Sequence, residues 1–121
     1  MRKLILLLIP AVLLVCAATA VATAGGAPAH AAATRTVGVG DSYFTKKTLR
    51  VKKGTVVKWV WGASSDDGAT VSEHNVRGIK GNRFLSKDKT DGTYSKRITR
   101  TTTVICTIHP TIMRMKITVV K

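Results

Sequence analysis

Cysteine is nearly absent from this chain. Only Cys16 and Cys106 occur in 121 residues, and Cys16 lies in an apolar leader, so the body of the chain has no internal disulfide to staple it. Histidine is scarce too, with His30, His74 and His109 the only three. Acidic residues number 6. That leaves little material for hydrolytic chemistry: no carboxylates pair along one strand, and no serine stands with a histidine and an acid in a nucleophilic arrangement. There is no glycine-rich phosphate loop and no internal repeat. After residue 34 no stretch shows a helical period, which argues against helical folds.

Charge of one sign is abundant. The chain carries 20 basic residues and a formal charge of +14. Met1-Arg2-Lys3 opens it, and residues 4–24, LILLLIPAVLLVCAATAVATA, carry no charge. Three A-x-A sites follow, ending at Ala24, Ala31 and Ala33. This is the pattern of a secretory signal peptide over 1–24, with cleavage as late as 33. An uncleaved N-terminal membrane anchor is the competing reading, because about 20 apolar residues can span a bilayer. Residues 25–34, GGAPAHAAAT, read as a leader remnant or flexible linker. Loss of Arg2 and Lys3 with the leader takes the 20 basic residues to 18 against 6 acidic, a formal +12. Such a domain, exported to the periplasm, cell envelope or medium, is drawn to acidic proteins or an anionic envelope surface. Nucleic acid fits the charge but not the address. The lysines are scattered, as on a solvated surface.

Residues 35–121 make one domain, long enough for a core without a disulfide. TRTVGVG (34–40), TLRVKKG (48–54), TVVKWVW (55–61), TVSEHNV (70–76), GTYSKRIT (92–99), TTTVICT (101–107) and MKITVVK (115–121) alternate apolar and polar residues or are rich in β-branched ones. GASSDDGA (62–69) and the segment with Gly78, Gly81 and Asn82 read as loops. The expected fold is all-β, a Greek-key β-sandwich of about seven or eight strands, antiparallel in its pairing. Trp59, Tyr43, Phe44 and Phe84 are expected in the core, and Trp61 either there or near the functional pole. Asp66, Asp67 and Glu73 read as solvated.

One stretch gathers the scarce chemistry. ICTIHPTIM (105–113) holds Cys106, His109 three residues on, Pro110, and Met113 four after the histidine. Thiolate, imidazole and thioether together suit copper, and a His2Cys set with a weak axial Met is a blue-copper electron-transfer arrangement. Zinc, the rival, rarely uses methionine. The remaining ligand has to come from elsewhere, and His74 is the histidine available. Taken singly, Cys106 would more often be a small buried hydrophobe, and Met113 or Met115 core filler.

KTLRVKKGTVVKWVW (47–61), SEHNV (72–76) and CTIHPTIMRMKITVV (106–120) resemble, in order, a small secreted cupredoxin of the plastocyanin/azurin type, over essentially residues 36–121. The resemblance implies one copper ion cycling between Cu(II) and Cu(I), with His74, Cys106 and His109 as equatorial ligands and Met113 as the axial one. It implies that the edge of His109 serves as the electron port, that Asn75 and Pro110 support the ligands, and that the backbone amide of Asn75 contacts the Cys106 sulfur. It also implies a monomeric electron carrier rather than an enzyme, working with redox partner proteins, acidic ones given the charge. A copper carrier or storage protein with the same ligands is the alternative. The chain departs from the family pattern at Val104, where an aromatic is common, at Met115, where Gly or Ala is common, and at Trp61. Many members have Asn or a similar residue near Trp61 to tie the ligand loops together, and a tryptophan cannot make the same bonds.

Overall fold

The computed structural model describes residues 31–62, 69–70 and 72–121. The expected signal peptide and most of the linker lie outside the described residues, as do Asp66 and Asp67. The described chain holds nine strands and no helix.

Four strands build the first sheet, in the order β2-β1-β4-β7. They are β1 (Thr34–Gly40), β2 (Tyr43–Phe44), β4 (Thr55–Trp61) and β7 (Thr93–Ile98). The second sheet runs β3-β9-β8-β5-β6, from β3 (Thr48–Lys52), β9 (Arg114–Val120), β8 (Thr102–Ile105), β5 (Arg77–Lys80) and β6 (Phe84–Leu85). The alternation read from the sequence decides which face each strand buries. In β4, Thr55, Val57, Trp59 and Trp61 point inward while Val56, Lys58 and Val60 are half-exposed. In β3, Leu49 and Val51 are buried between exposed neighbours. Val37, Val39, Val57 and Trp59 of one sheet and Val104, Met115 and Ile117 of the other meet in one core. Each such side chain contributes about 1.5–3 kcal/mol by leaving water. Trp59 is wholly buried against Phe84 and Tyr94, with ring centroids 5.4 and 6.1 Å away.

The pairing is mixed, not antiparallel throughout. β1 runs parallel to β4, with Val37 opposite Trp59, and β3 runs parallel to β9, with Leu49 opposite Ile117. Each parallel pair is made possible because the chain crosses to the other sheet between the two strands. Three further differences are local. The strand expected over 70–76 lies at Arg77–Lys80 instead, because His74, Asn75 and Val76 are buried in succession and break the period of two. Gly78, which reads as a loop residue, is mid-strand: a Cβ there would run into the Asn82 carbonyl and the Phe84 ring. Tyr43, expected in the core, is 44% exposed, and its ring lies across Gly40.

Strand direction defines two poles. β1, β4 and β8 end near one another, at Asp41, Trp61 and Cys106, around His74. At the opposite pole Lys52 pairs with Val120, Thr55 with Ile98 and Thr34 with Val56. Gly54 makes the β3–β4 turn there with φ +89°, a conformation that favours glycine.

Candidate metal centre

Cys106 is the first residue beyond β8. Its amide donates to the Met113 carbonyl at 3.0 Å, and the Met113 amide donates to the His109 carbonyl at 2.9 Å. These two bonds close the loop 106–113 just before β9 begins. Pro110 is exposed within the loop and fixes φ directly after His109. Its carbonyl accepts from Arg114 Nη1 at 3.3 Å. Cys106 and Met113 are both wholly buried, while Ile108 and Ile112 are exposed on either side of the half-buried His109.

His74 reaches the same place from the connection between β4 and β5. Its backbone is held on three counts. It exchanges two hydrogen bonds with Lys89, each 2.9 Å, and its carbonyl accepts from Trp61 Nε1 at 3.0 Å. Trp61 therefore ties a ligand loop by a different bond, through the indole N–H in place of an amide side chain. The His74 ring is fully buried. Nε2 lies 3.0 Å from Asp41 Oδ1 and 3.1 Å from Ser72 Oγ. Ser72 itself donates to Asp41 through Oγ at 3.0 Å and through its amide at 3.2 Å. A carboxylate accepting from Nε2 keeps the proton on that nitrogen and leaves the Nδ1 lone pair for a metal. Nδ1 stands 3.9 Å from Cys106 Sγ.

Asn75 links the two loops. Its amide approaches Cys106 Sγ at 3.5 Å. Its side-chain nitrogen donates to Asp88 Oδ1 at 2.7 Å and to Thr107 Oγ1 at 2.6 Å, and its Oδ1 accepts from the Thr107 amide at 2.9 Å. The sulfur contact expected from the resemblance is present.

His74, Cys106 and His109 converge so that one ligand atom from each lies within 4.8 Å of the others. Three points so spaced have a common centre within about 2.8 Å of each, against metal–nitrogen and metal–sulfur bonds of about 2.0–2.3 Å. His109 Nδ1 is buried without a hydrogen-bond partner, and buried polar atoms are ordinarily satisfied. An unsatisfied imidazole nitrogen beside a buried thiol and a second imidazole is what a metal-binding cluster requires, and the donor set suits copper or zinc. Met113 shares the loop and the core with Cys106. Met115 lies on β9 opposite Val104 and packs in the core.

Sequence reasoning missed Asp41, Ser72, Thr107 and Asp88. Asp41 sits in the two-residue turn between β1 and β2, next to Ser42, whose φ is +64°. The turn itself was readable from Asp41-Ser42, but nothing in the spacing ties it to a histidine 33 residues away.

No family model matches the sequence, and no curated protein does. Solved structures do match. A mutant amicyanin in its reduced Cu(I) form at pH 4 is 26% identical, with a TM-score of 0.55 over 76% of this chain and 85% of that one. By fold the chain is a cupredoxin. A pseudoazurin from Sinorhizobium, at 17% identity, shares the fold over 73% of this chain and 74% of its own, with a TM-score of 0.54. The Cu-containing nitrite reductase of Thermus scotoductus SA-01 matches 79% of this chain with 24% of its own length, at 24% identity and a TM-score of 0.57. The cupredoxin sandwich of the present chain thus corresponds to one portion of that larger protein. In this cupredoxin the His-Cys-His cluster lies at the pole where β1, β4 and β8 end.

Proposed function

We propose that this cupredoxin is an exported blue-copper electron carrier. One copper ion would be held by His74 Nδ1, the Cys106 thiolate and His109 Nδ1, with Met113 as the axial ligand. The observation that carries the reading is the buried, unpartnered His109 Nδ1 within a cluster that already contains a buried thiol and a second imidazole. Similarity to amicyanin, a solved Cu(I) protein, supports copper over zinc. So does the thioether of Met113, a soft donor.

Bound copper supplies a one-electron Cu(II)/Cu(I) couple. The protein's part is to keep its donors still. His74 is clamped by Lys89, Trp61 and Asp41. Cys106 is fixed by the end of β8 and by the Met113 carbonyl, and Asn75 binds its neighbour Thr107 to the His74 side of the site. Donors pinned from both loops move little when the charge changes, which keeps the reorganisation energy low. The Asn75 amide, 3.5 Å from the sulfur, stabilises negative charge on the thiolate. The rim around His109, with Ile108 46% and Ile112 64% exposed, offers an apolar docking face for a redox protein, and the imidazole edge provides the short path for the electron. No bond is made or broken in a substrate, so the activity is transfer and not catalysis.

The N-terminal 1–24 pattern and the family resemblance support export, with the domain acting as a monomer. The formal +12 charge left by 18 basic and 6 acidic residues once Arg2 and Lys3 go with the leader, and Arg114 beside Pro110, favour an acidic partner, and electron transfer to such a partner slows as ionic strength rises.

Titration of the purified protein with Cu(II), followed in the visible spectrum, tests the reading. An intense thiolate-to-copper band that saturates at one equivalent, and that Cys106→Ser abolishes, supports it. Binding without the band, with ready handover to an apo-acceptor, would support a copper carrier instead. No binding would remove the metal reading.

A further inference from the structure

The described acidic residues of the fold are confined to one pole, while cations stand at both. All four described acidic residues lie in loops at the metal pole. Asp41 contacts His74, Glu73 precedes it, Asp88 contacts Asn75, and Asp91 precedes Gly92, whose carbonyl accepts from the Trp61 amide. Lys46, Lys87, Lys89 and Arg114 stand among them, whereas among the described residues the opposite pole carries cations alone. Arg50, Lys52 and Lys53 come from β3 and its turn, Arg35 from β1, Arg97 from β7 and Lys121 from the chain end. All six are exposed. Arg97 Nη1 donates to the Gly54 carbonyl at 3.2 Å, so its guanidinium lies against the β3–β4 turn. Arg35, Arg50 and Lys52 line one shallow hollow there, and Lys52, Lys53 and Arg97 line a second.

The chain also enters the fold at this pole. Residues 31–33 border the second hollow, and the Ala33 carbonyl accepts from the Val56 amide at 2.8 Å. Directly upstream in the sequence lies the uncharged run of residues 4–24. An apolar segment feeding into a cationic collar matches a bilayer, which offers a hydrocarbon interior under anionic headgroups. A soluble anionic polymer matches only the collar.

We infer that the cationic pole rests on an anionic lipid surface and that the metal pole faces away from it, towards soluble partners. The orientation rests on the cationic collar and on the point where the chain enters the fold. It is independent of which metal the other pole takes. Lipid phosphates would sit against the two hollows, where no described acidic residue opposes them.

Lysine acetylation footprinting of the exported protein, with whatever N-terminus processing leaves, tests the orientation. The probes are phosphatidylglycerol and phosphatidylcholine vesicles. On phosphatidylglycerol, labelling of Lys52, Lys53 and Lys121 falls by about fivefold relative to phosphatidylcholine, and high salt reverses the effect. Lys46 and Lys87, at the metal pole, label equally on both. The double variant Lys52→Glu with Lys53→Glu loses the lipid dependence. Lys46→Glu with Lys87→Glu, the same change in net charge, keeps it. Uniform protection, protection centred on Lys46 and Lys87, or none on vesicles would overturn the inference. A footprint at Lys52 and Lys53 with soluble polyphosphate but not with vesicles would also overturn it, in favour of an envelope polymer.

Discussion

Asp41 Oδ1 stands 3.0 Å from His74 Nε2, joining the turn after the first strand to the most deeply buried imidazole of the metal cluster. The carboxylate fixes which ring nitrogen holds the proton, and it does so from a position half open to solvent, with 41% of its side chain exposed. Partners of this kind typically contribute about 10–100-fold in metal affinity. Asp41→Ala therefore lowers copper affinity by about tenfold, the low end of that range because water can replace part of the contact. Competition with a Cu(I) chelator measures it. Unchanged affinity would reduce Asp41 to a turn residue.

Met113 and leucine have similar volume, so Met113→Leu costs less than about 1.5 kcal/mol of stability. The visible band and the one-to-one stoichiometry survive, since the thiolate and both imidazoles remain. On the proposed ligand set the reduction potential rises, because the more highly charged Cu(II) loses more than Cu(I) when a donor is replaced by a hydrocarbon side chain. Protein-film voltammetry reads the shift. A potential equal to that of the parent would make Met113 packing alone.

Asn75→Ala removes three side-chain hydrogen bonds at a buried position. At about 1 kcal/mol each, the loss is about 2–3 kcal/mol. Urea denaturation measures it, and the Thr107 amide should exchange with solvent well before the amides of β8 do.

Burial raises the Tyr94 phenol above the ordinary tyrosine value of 10.0. The unfolded chain therefore ionises first. The contribution is fully present below pH 10 and is lost as pH climbs through the folded value. Tyr94→Phe removes this alkaline loss. The stability difference between parent and variant, followed by denaturant midpoint from pH 8 upward, changes in favour of the variant only beyond about pH 10.

Period-two alternation made β1, β3, β4, β7 and β9 readable, because a strand with one buried face writes its register into side-chain type. The three scarce side chains of ICTIHPTIM, Cys106, His109 and Met113, were readable because thiol, imidazole and thioether are rare here. Three features were hidden for physical reasons. β2 and β6 have two residues each, too few to show a period. Gly78 is a strand residue whose identity is dictated by the Phe84 ring pressed on it. The parallel pairs depend on which sheet the chain returns to, and no local signal carries that. Trp61 makes a different bond from that of an asparagine, as expected, but sequence alone does not reveal that its N–H reaches the His74 carbonyl.

The place of β9 sets an order of events. It lies between β3 and β8 and so joins one to the other within its sheet, yet it is made last. Until it arrives, β3 has no neighbour in its sheet, and the Met113 carbonyl that anchors the Cys106 amide is not in place. Pairing Leu49 with Ile117 closes most of the domain's length in one step, and contacts so distant in sequence make folding slow. A chain still emerging from the ribosome or a translocation pore therefore lacks the complete metal cluster. The thiol acquires its two imidazole neighbours in fixed positions only when the final strand docks, so metal loading follows the completion of the fold.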